Sequence, residues 1–372
     1  MAIPWRDTLG RGGETMARGL MPRVALVSAA AALVVGSLLW LDRPDEPWPN
    51  GRAPADPIPQ RPLTGCELDA LLVPSCGVLL GVTSPRPELD SLLESEQVLG
   101  RQVDFVYRFH WLDDDFPTSE ELALVRDGRL LHYSLDTHVS DPSSPYHLTW
   151  SQVAQGAADD RLRVIARNIA AAPTTVWMTF EHEADQQGRD WQGSGADFGA
   201  AWRRVRAVFD QEGADNVVWT WVVMGTGPRI ERAAELWPGN DVVDWISWEA
   251  YDPAGCRVGS LEESKAVDFE ASFALFYRWY RSEGARRGMD PDLPIMISES
   301  GSSIRPGQSG KRADWYAEIP AVLARYPQVK AIGLWDHDGN ALCDYRLAVD
   351  PLVVDAVRRA VGQDRLGAFT SP

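Results

Sequence analysis

Residues 174–183 read TTVWMTFEHE, an apolar run rich in β-branched and aromatic residues that ends in two glutamates and a histidine. Such a run predicts a parallel strand that is buried on both faces and reaches solvent only at its end. A second apolar run, residues 293–297 (LPIMI), is followed in the same way by Ser298 and Glu299. The sequence therefore predicts two buried strands that each deliver a glutamate, Glu183 and Glu299, at the carboxyl end.

Strand-like runs alternate with amphipathic helical stretches along most of the chain. Eight strand–helix units in about 300 residues predict a single α/β domain with the (β/α)8 TIM-barrel fold. A doubly wound sheet is the alternative, but no GxGxxG motif follows the first strand. Besides the two runs above, the predicted strands are residues 77–84, 104–110, 130–135, 216–224, 242–250 and 331–335, and the longer predicted helices are 149–172, 195–213, 269–284 and 314–326.

The amino-terminal part of the chain has a different character. Residues 24–41 carry no charge, and at 1.5 Å per residue they reach roughly 27 Å, just enough to cross a bilayer core of about 30 Å. Four arginines precede this segment and acidic residues follow it, which predicts a cytoplasmic tail at residues 1–23 and the remaining chain on the extracellular side of the membrane. A cleaved signal peptide, which would give a secreted protein, is the alternative. The length of the run and the lack of a clear small-x-small cleavage site favour an uncleaved anchor.

Residues 42–64 are dense in proline and predict a semi-rigid linker, so we place the barrel domain at residues 65–372. The four cysteines fit an exported chain, and sequence alone allows three pairings. Cys66 and Cys76 bracket a short loop, whereas Cys256 and Cys343 fall in loops after late strands. We therefore predict disulfides between Cys66 and Cys76 and between Cys256 and Cys343.

Composition narrows the range of partners. The net charge of −17, from 53 acidic and 36 basic residues, argues against a nucleic-acid-binding surface. The count of 16 tryptophans suggests aromatic platforms for sugars, although core filling would explain about half of them. We expect a monomer whose partners are a polysaccharide and, through residues 24–41, the membrane.

Two carboxylates at strand ends fit the hydrolysis of glycosidic bonds. A retaining enzyme needs a protonated acid at the leaving oxygen and a second carboxylate at the anomeric carbon, about 5–5.5 Å away. Glu183 would be the acid, with its pKa raised by burial and by its negative partner, and Glu299 would be the ionised nucleophile. Either glutamate alone would be better explained as a solvated or helix-capping group, but two at matching strand ends favour catalysis.

Several motifs in order resemble glycoside hydrolase family 26, the β-mannanase-like family of the large clan of retaining barrels. They are FEHEAD at residues 180–185, NVVWTWV at 216–222, LWPGNDVVDWISWEAYD at 236–252 and PIMISESGS at 294–302. The resemblance covers residues 77–339 and implies Glu183 as acid/base and Glu299 as nucleophile. It also implies Tyr251 as a hydrogen-bond partner of the nucleophile and Trp335 as a sugar platform.

Some positions depart from that family. Its members usually continue the His-Glu pair with Met-Asn-Gly, whereas this chain has Ala184, Asp185 and Gln186, and Thr179 stands where an arginine is common. These positions shape substrate contacts, so the catalytic pair is better supported than mannan as the substrate. His182 is expected either to orient a carboxylate or sugar hydroxyl, or to be a packed, hydrogen-bonded residue.

Three more tryptophans, Trp111, Trp191 and Trp248, lie near predicted strand ends, where they could stack on further sugar units. We expect neither a cofactor nor a metal, because the chain lacks the second histidine of an HExxH motif. The sequence thus predicts a retaining glycoside hydrolase, an endo-β-glycanase of mannanase-like type that acts on extracellular polysaccharide. The alternatives are a barrel that binds polysaccharide without cleaving it and a transglycosylase that remodels an envelope glycan.

Overall fold

The computed structural model describes residues 66–84, 89–139, 141, 143–256, 266–305, 307–338, 343–363 and 366. Eight parallel strands pair in chain order and close into a barrel, in which β1 pairs with both β2 and β8. The predicted (β/α)8 barrel is therefore confirmed. The strands are β1 (Leu79–Thr83), β2 (Phe105–Trp111), β3 (Leu130–Asp136), β4 (Val176–Phe180), β5 (Val217–Val223), β6 (Trp245–Asp252), β7 (Ile295–Ser302) and β8 (Val329–Trp335).

Helices surround the barrel, and their apolar faces pack on the outside of the strands. Side chains cap several of them. Thr118, Thr149 and Ser194 each form a capping box with the third residue of the helix that follows, which satisfies free backbone N–H groups. The helices are α1 (Leu89–Leu99), α2 (Ser119–Arg126), α3 (Trp150–Ala154), α4 (Asp159–Ala170), α5 (Gly195–Gln211), α6 (Ile230–Glu235), α7 (Phe269–Trp279), α8 (Ser309–Ala317), α9 (Ile319–Arg325) and α10 (Pro351–Val361).

The predicted helices differ from the observed ones in three places. The stretch 149–172 contains two helices, α3 and α4, because Gly156 has a φ of 91° and turns the chain between them. The stretch 314–326 is divided between α8 and α9, and α8 begins before it, at Ser309. A π-helical turn, Tyr280–Gly284, continues α7 to the predicted end.

Large side chains fill the amino-terminal end of the barrel interior. Phe105, Trp177 and Trp245 pack there with aliphatic residues from other strands. Gly81 allows this packing, since a Cβ at that position would lie 2.3 Å from the ring of Phe105. Seven tryptophans of the described part of the chain are fully buried, which agrees with the expectation that about half fill the core. Because side chains fill the amino-terminal end of the barrel, a ligand-binding site is expected at the carboxyl ends of the strands.

Both predicted disulfides are present, Cys66–Cys76 and Cys256–Cys343. The second joins the segment after β6 to the segment after β8, and it packs with Trp335 and Tyr345. The predicted tail, membrane segment and linker, residues 1–64, lie outside the described residues. Among the residues that are described, no helix is long and apolar enough to cross a membrane.

Candidate active site

The loop after β4 begins with two residues in the left-handed backbone region. Glu181 has a φ of 59° and Glu183 a φ of 49°, with His182 between them. Non-glycine residues rarely adopt this region, and each such residue costs on the order of 1–3 kcal/mol. The three side chains lie in two environments: Glu181 contacts Thr137, whereas His182 and Glu183 face other carboxyl groups.

Glu181 is an anchor of this loop. Its buried carboxylate accepts hydrogen bonds from the Thr137 amide at 2.7 Å and from Gln192 Nε2 at 3.0 Å, and it forms an ion pair with Arg189. Burial alone would raise the pKa of Glu181, but Arg189 and His138 hold it well below its usual range. These bonds offset the strained backbone and hold the loop in place.

Glu299 lies at an irregularity between β6 and β7. Trp248 is opposite Ile297, but Ala250 is opposite Ser300, so Ser298 and Glu299 together face one residue of β6. An extra residue of this kind forms a β-bulge, which changes the direction of a side chain. Glu299 Oε2 accepts a hydrogen bond from the Tyr251 hydroxyl at 2.6 Å, the partner that the family resemblance implied.

His182 connects the two catalytic candidates. Its Nε2 lies 3.3 Å from Glu299 Oε1, and its Nδ1 is 2.9 Å from the Tyr107 hydroxyl. Burial alone would lower the pKa of His182, but the charges of Glu299 and Glu183 raise it above its ordinary value. His182 is thus packed and hydrogen-bonded to Tyr107 and also lies beside a carboxylate, so its role remains a prediction.

Glu183 lies beside this histidine. Its Oε2 accepts a hydrogen bond from Gln186 Nε2 at 2.9 Å, and its carboxyl is within hydrogen-bonding reach of a third glutamate, Glu249. The structure thus brings Glu183, Glu299, His182 and Tyr251 into one cluster, as predicted. The roles of the two glutamates remain predictions.

Sequence reasoning missed Glu249. It lies on β6, is buried, and its Oε1 is 3.3 Å from His182 Nε2. Burial, and then the charges of Glu183 and Glu299, raise the pKa of Glu249 well above its ordinary value. A signal was available, because Glu249 precedes Tyr251 by two residues and alternate residues of a strand share a face.

The same alternation makes the prediction for Trp248 wrong. Trp248 faces α7 outside the barrel, where it is fully buried, stacks on Phe273 at 5.1 Å and donates its indole N–H to the Phe273 carbonyl. No sugar can reach it there. A strand that directs Glu249 and Tyr251 inward must direct Trp248 outward.

The other predicted tryptophans lie at the carboxyl ends of strands or in the loops beyond them. Trp335 ends β8, is 8% exposed and is 6.3 Å from Phe109, whose ring also packs against His182. Trp111 ends β2 and is 42% exposed, and Trp191, in the loop after β4, is 47% exposed and stacks on His147. Sugar binding by Trp335, Trp111 and Trp191 remains a prediction.

The positions that depart from the family pattern are buried. The Thr179 hydroxyl forms a hydrogen bond with His132 Nε2 at 2.8 Å and donates another to the Thr220 carbonyl at 3.0 Å. Asp185 accepts a hydrogen bond from the Met224 amide at 2.9 Å, and burial raises its pKa to about 7. These side chains therefore help to hold the segments that surround the site.

Two groups among the described residues could hold a metal ion, because each places three ligand atoms within 4.8 Å of one another. In the group of Asp136, His138 and Glu181, the Arg189 guanidinium already supplies a positive charge. The other group, His182, Glu183 and Glu249, belongs to the catalytic cluster. In this group the imidazole of His182, whose pKa is raised, lies 3.3 Å from the Glu249 carboxyl.

Comparisons with known proteins find similarity to glycoside hydrolases. No family model matches the chain. Endoglucanase H of Acetivibrio thermocellus is 23% identical over 291 residues, which is 74% of this chain and 29% of that protein. β-1,3-Xylanase TXYA of a Vibrio species is 23% identical over 239 residues, 63% of this chain and 46% of that protein. The chain thus spans less than half the length of these relatives.

Solved structures extend the comparison to the fold. A family 26 β-mannanase from Bacteroides ovatus has a TM-score of 0.53 at 16% identity, with 78% of this chain and 90% of that chain covered. GH26C from a Muricauda species has a TM-score of 0.55 at 12% identity, with coverage of 78% and 86%. The chain shares the (β/α)8 fold of the solved family 26 glycoside hydrolases, in agreement with the resemblance that its motifs carry.

Proposed function

We propose that this chain is a retaining glycoside hydrolase of the family 26 type, an endo-β-glycanase. One observation carries the proposal: two glutamates from β7 and from the loop after β4 meet at the barrel mouth around His182, and one of them is held by a tyrosine hydroxyl. Two carboxyl groups that face one site support a double displacement, in which one acts as acid/base and the other as nucleophile.

The two glutamates differ in their surroundings in a way that suits the two roles. Glu299 accepts a hydrogen bond from Tyr251 and lies beside His182, and both contacts favour its ionised form. It would attack the anomeric carbon. Glu183, which lies among carboxyl groups, would protonate the leaving oxygen and then, as a base, activate the water that releases the sugar.

The names of the relatives indicate a broad class of substrate but no particular sugar. Their names give an endoglucanase, a β-1,3-xylanase and β-mannanases, so we propose a β-linked polysaccharide. The departures at Thr179, Ala184, Asp185 and Gln186 leave no reason to prefer mannan. We also propose that the enzyme acts outside the cell, attached through residues 24–41 or secreted after their removal.

The experiment is a screen of mannan, glucan and β-1,3-xylan for new reducing ends, followed by two variants on the accepted glycan. Glu299→Ala removes the attacking group, so turnover should fall by several orders of magnitude while glycan binding remains. Glu183→Ala should still form the glycosyl-enzyme from an activated aryl glycoside but release it slowly. Added azide, a nucleophile that needs no base, should speed its turnover and yield a β-glycosyl azide.

Glu120→Ala is the matched control, since Glu120 is an exposed residue of α2 far along the chain from either glutamate. It should turn over at the wild-type rate. Binding without cleavage by the wild-type protein would support the polysaccharide-binding alternative, and transfer to sugar acceptors in preference to water would support a transglycosylase. An inverted product, or wild-type rates in both glutamate variants, would contradict the assigned roles.

A further inference from the structure

Three carboxyl groups surround one imidazole at the barrel mouth. His182 Nε2 lies 3.3 Å from Glu249 Oε1 and 3.3 Å from Glu299 Oε1, and ligand atoms of His182, Glu183 and Glu249 all lie within 4.8 Å of one another. All three glutamates are buried. The imidazole of His182 is thus in contact with both Glu249 and Glu299.

Charge balance limits how many of these carboxyl groups can be ionised together. Like charges this close in a buried site disfavour one another, and one imidazolium can match only one carboxylate. The nucleophile, Glu299, must be ionised for attack, and Tyr251 supports that form with a hydrogen bond of 2.6 Å. The acid of the double displacement, Glu183, must begin with a proton, and the crowding of like charges disfavours ionisation of Glu249 as well.

The contacts of Glu249 show what its proton can do. Its carboxyl lies within hydrogen-bonding reach of the Glu183 carboxyl, with ligand atoms of the two groups within 4.8 Å of each other, while its Oε1 makes no hydrogen bond and lies 3.3 Å from His182 Nε2. We propose that Glu249 is a positioning residue: a neutral carboxylic acid that donates its O–H to Glu183 and holds it throughout the reaction. This inference rests on the proposed retaining mechanism.

Protons and bonds are conserved in each of the two chemical steps. In the first step, Glu183 gives its proton to the glycosidic oxygen, the bond from the anomeric carbon to that oxygen breaks, and Glu299 forms the new bond. The resulting Glu183 carboxylate accepts a charge-assisted hydrogen bond from Glu249, which keeps its own proton. In the second step Glu183 takes a proton from water, the water oxygen bonds to the anomeric carbon, and the bond from that carbon to Glu299 breaks, so that Glu299 is ionised and Glu183 protonated again.

Burial, followed by the charges of Glu183 and Glu299, raises the pKa of Glu249, which favours this neutral form. The titratable groups that surround it belong to several elements. They are His182, Glu183 and Asp185 after β4, Glu299 on β7, Tyr107 on β2, Tyr251 on β6 and Tyr345 after β8.

The first test compares Glu249→Gln with Glu249→Ala on the accepted polysaccharide. Glutamine still offers an N–H donor without a charge, so kcat/KM should stay within about 10-fold of the wild-type value. Alanine offers no donor, so kcat/KM should fall by roughly 10- to 100-fold. An equal loss in both variants would mean that Glu249 acts as an ionised group, and the proposal would be overturned.

The dependence of kcat/KM on the leaving group provides a second test, because a residue with a purely structural role would not change that dependence. With a dinitrophenyl glycoside, departure needs little protonation, so Glu249→Ala should lose much less in kcat/KM than it does on polysaccharide. In a Glu183→Ala background, the further change Glu249→Ala should have almost no effect. Equal losses on both substrates, or additive losses in the double variant, would contradict the proposal.

A measurement without turnover separates this inference from the proposed function. In the full-length protein labelled with ¹³C at glutamate carboxyls, with the Glu183 signal identified through Glu183→Gln, Glu249→Ala should raise the pKa of Glu183, because its carboxylate loses a donor. If Glu249 is ionised, the same substitution removes a negative neighbour and lowers that pKa. The sign of the change in the Glu183 pKa therefore distinguishes a neutral Glu249 from an ionised one, even if no tested glycan is cleaved.

Discussion

At the scale of single residues, Tyr251 makes the clearest contact with the proposed nucleophile. Its hydroxyl donates to Glu299 Oε2 at 2.6 Å, a short bond to a charged acceptor. We expect Tyr251→Phe to keep the ring in its place beside Tyr345 but to lower kcat/KM by roughly 10- to 100-fold, because hydrogen bonds to charged groups contribute about 1.5–3 kcal/mol. Steady-state kinetics on the accepted glycan measures this loss.

Tyr345→Phe is the matched control for that experiment. It removes a hydroxyl from the same aromatic cluster, but that hydroxyl lies 3.6 Å from Cys256 Sγ and not against a catalytic carboxylate. Activity should stay within a few-fold of the wild-type value. If the two variants lose activity equally, the effect belongs to the cluster as a whole and not to the bond with Glu299.

At the scale of secondary-structure elements, His110 joins β2 to α2. Its Nε2 lies 2.9 Å from Glu121 Oε1, and its Nδ1 is 3.6 Å from Asp114 Oδ2. Burial alone would lower the pKa of His110, but the hydrogen bonds to Asp114 and Glu121 raise it above 6.5. The protonated histidine therefore stabilises the folded state at low pH.

The sign of this effect gives a pH-dependent prediction. Because the pKa of His110 is higher in the folded state, its contribution is fully present below pH 6.5 and is lost as the pH rises through the raised folded value. Urea unfolding of wild type and His110→Gln should differ by on the order of 1 kcal/mol more at pH 5.5 than at pH 9. A difference that does not change with pH would show that His110 is neutral in the fold.

The two disulfides differ in the length of chain that they close. Cys66–Cys76 spans 10 residues and Cys256–Cys343 spans 87. Loop-closure entropy gives upper values of about 2.7 and about 4.6 kcal/mol for their stabilisation. Serine replacement of Cys256 and Cys343 should therefore lower the free energy of unfolding more than replacement of Cys66 and Cys76, as measured by urea unfolding.

The Cys256–Cys343 disulfide also lies beside the proposed site, in a cluster with Trp335 and Tyr345. The Cys66–Cys76 disulfide is not part of that cluster. Loss of Cys256–Cys343 should loosen Trp335 and Tyr345, so kcat/KM should fall as well. The variant without Cys66–Cys76 is the control and should keep its activity. The reverse order of stabilities would contradict the entropic account of these bridges.

At the scale of the whole molecule, the arginine-flanked segment at residues 24–41 predicts how the barrel is presented. We expect the full-length protein to stay in the membrane fraction after a carbonate wash and to keep its amino terminus. Amino-terminal sequencing of the recovered protein distinguishes an anchor from a signal peptide. A soluble form that starts beyond Leu41 would contradict the anchor.

The sequence alone was sufficient for the barrel, for the placement of Glu183 and Glu299 at its mouth and for both disulfides. The physical reason is that these features are local: buried strands show as apolar runs, and a glutamate that ends such a run must lie at the barrel mouth. Tyr251 came from the order of motifs and not from periodicity. The sites of helix breaks were harder to predict, because one glycine at Gly156 decides where α3 ends.

Only the tertiary structure decided which carboxyl groups share the site. The bulge in β7 places Glu299 opposite Glu249, and the left-handed residues after β4 separate Glu181 from His182 and Glu183. The face of the strand decided that Trp248 packs under α7 while its neighbour Glu249 enters the barrel. Alternation along β6 relates Trp248 to Glu249, but the bulge depends on backbone pairing between distant segments, so no pattern within a single run of residues could fix which carboxyl groups meet.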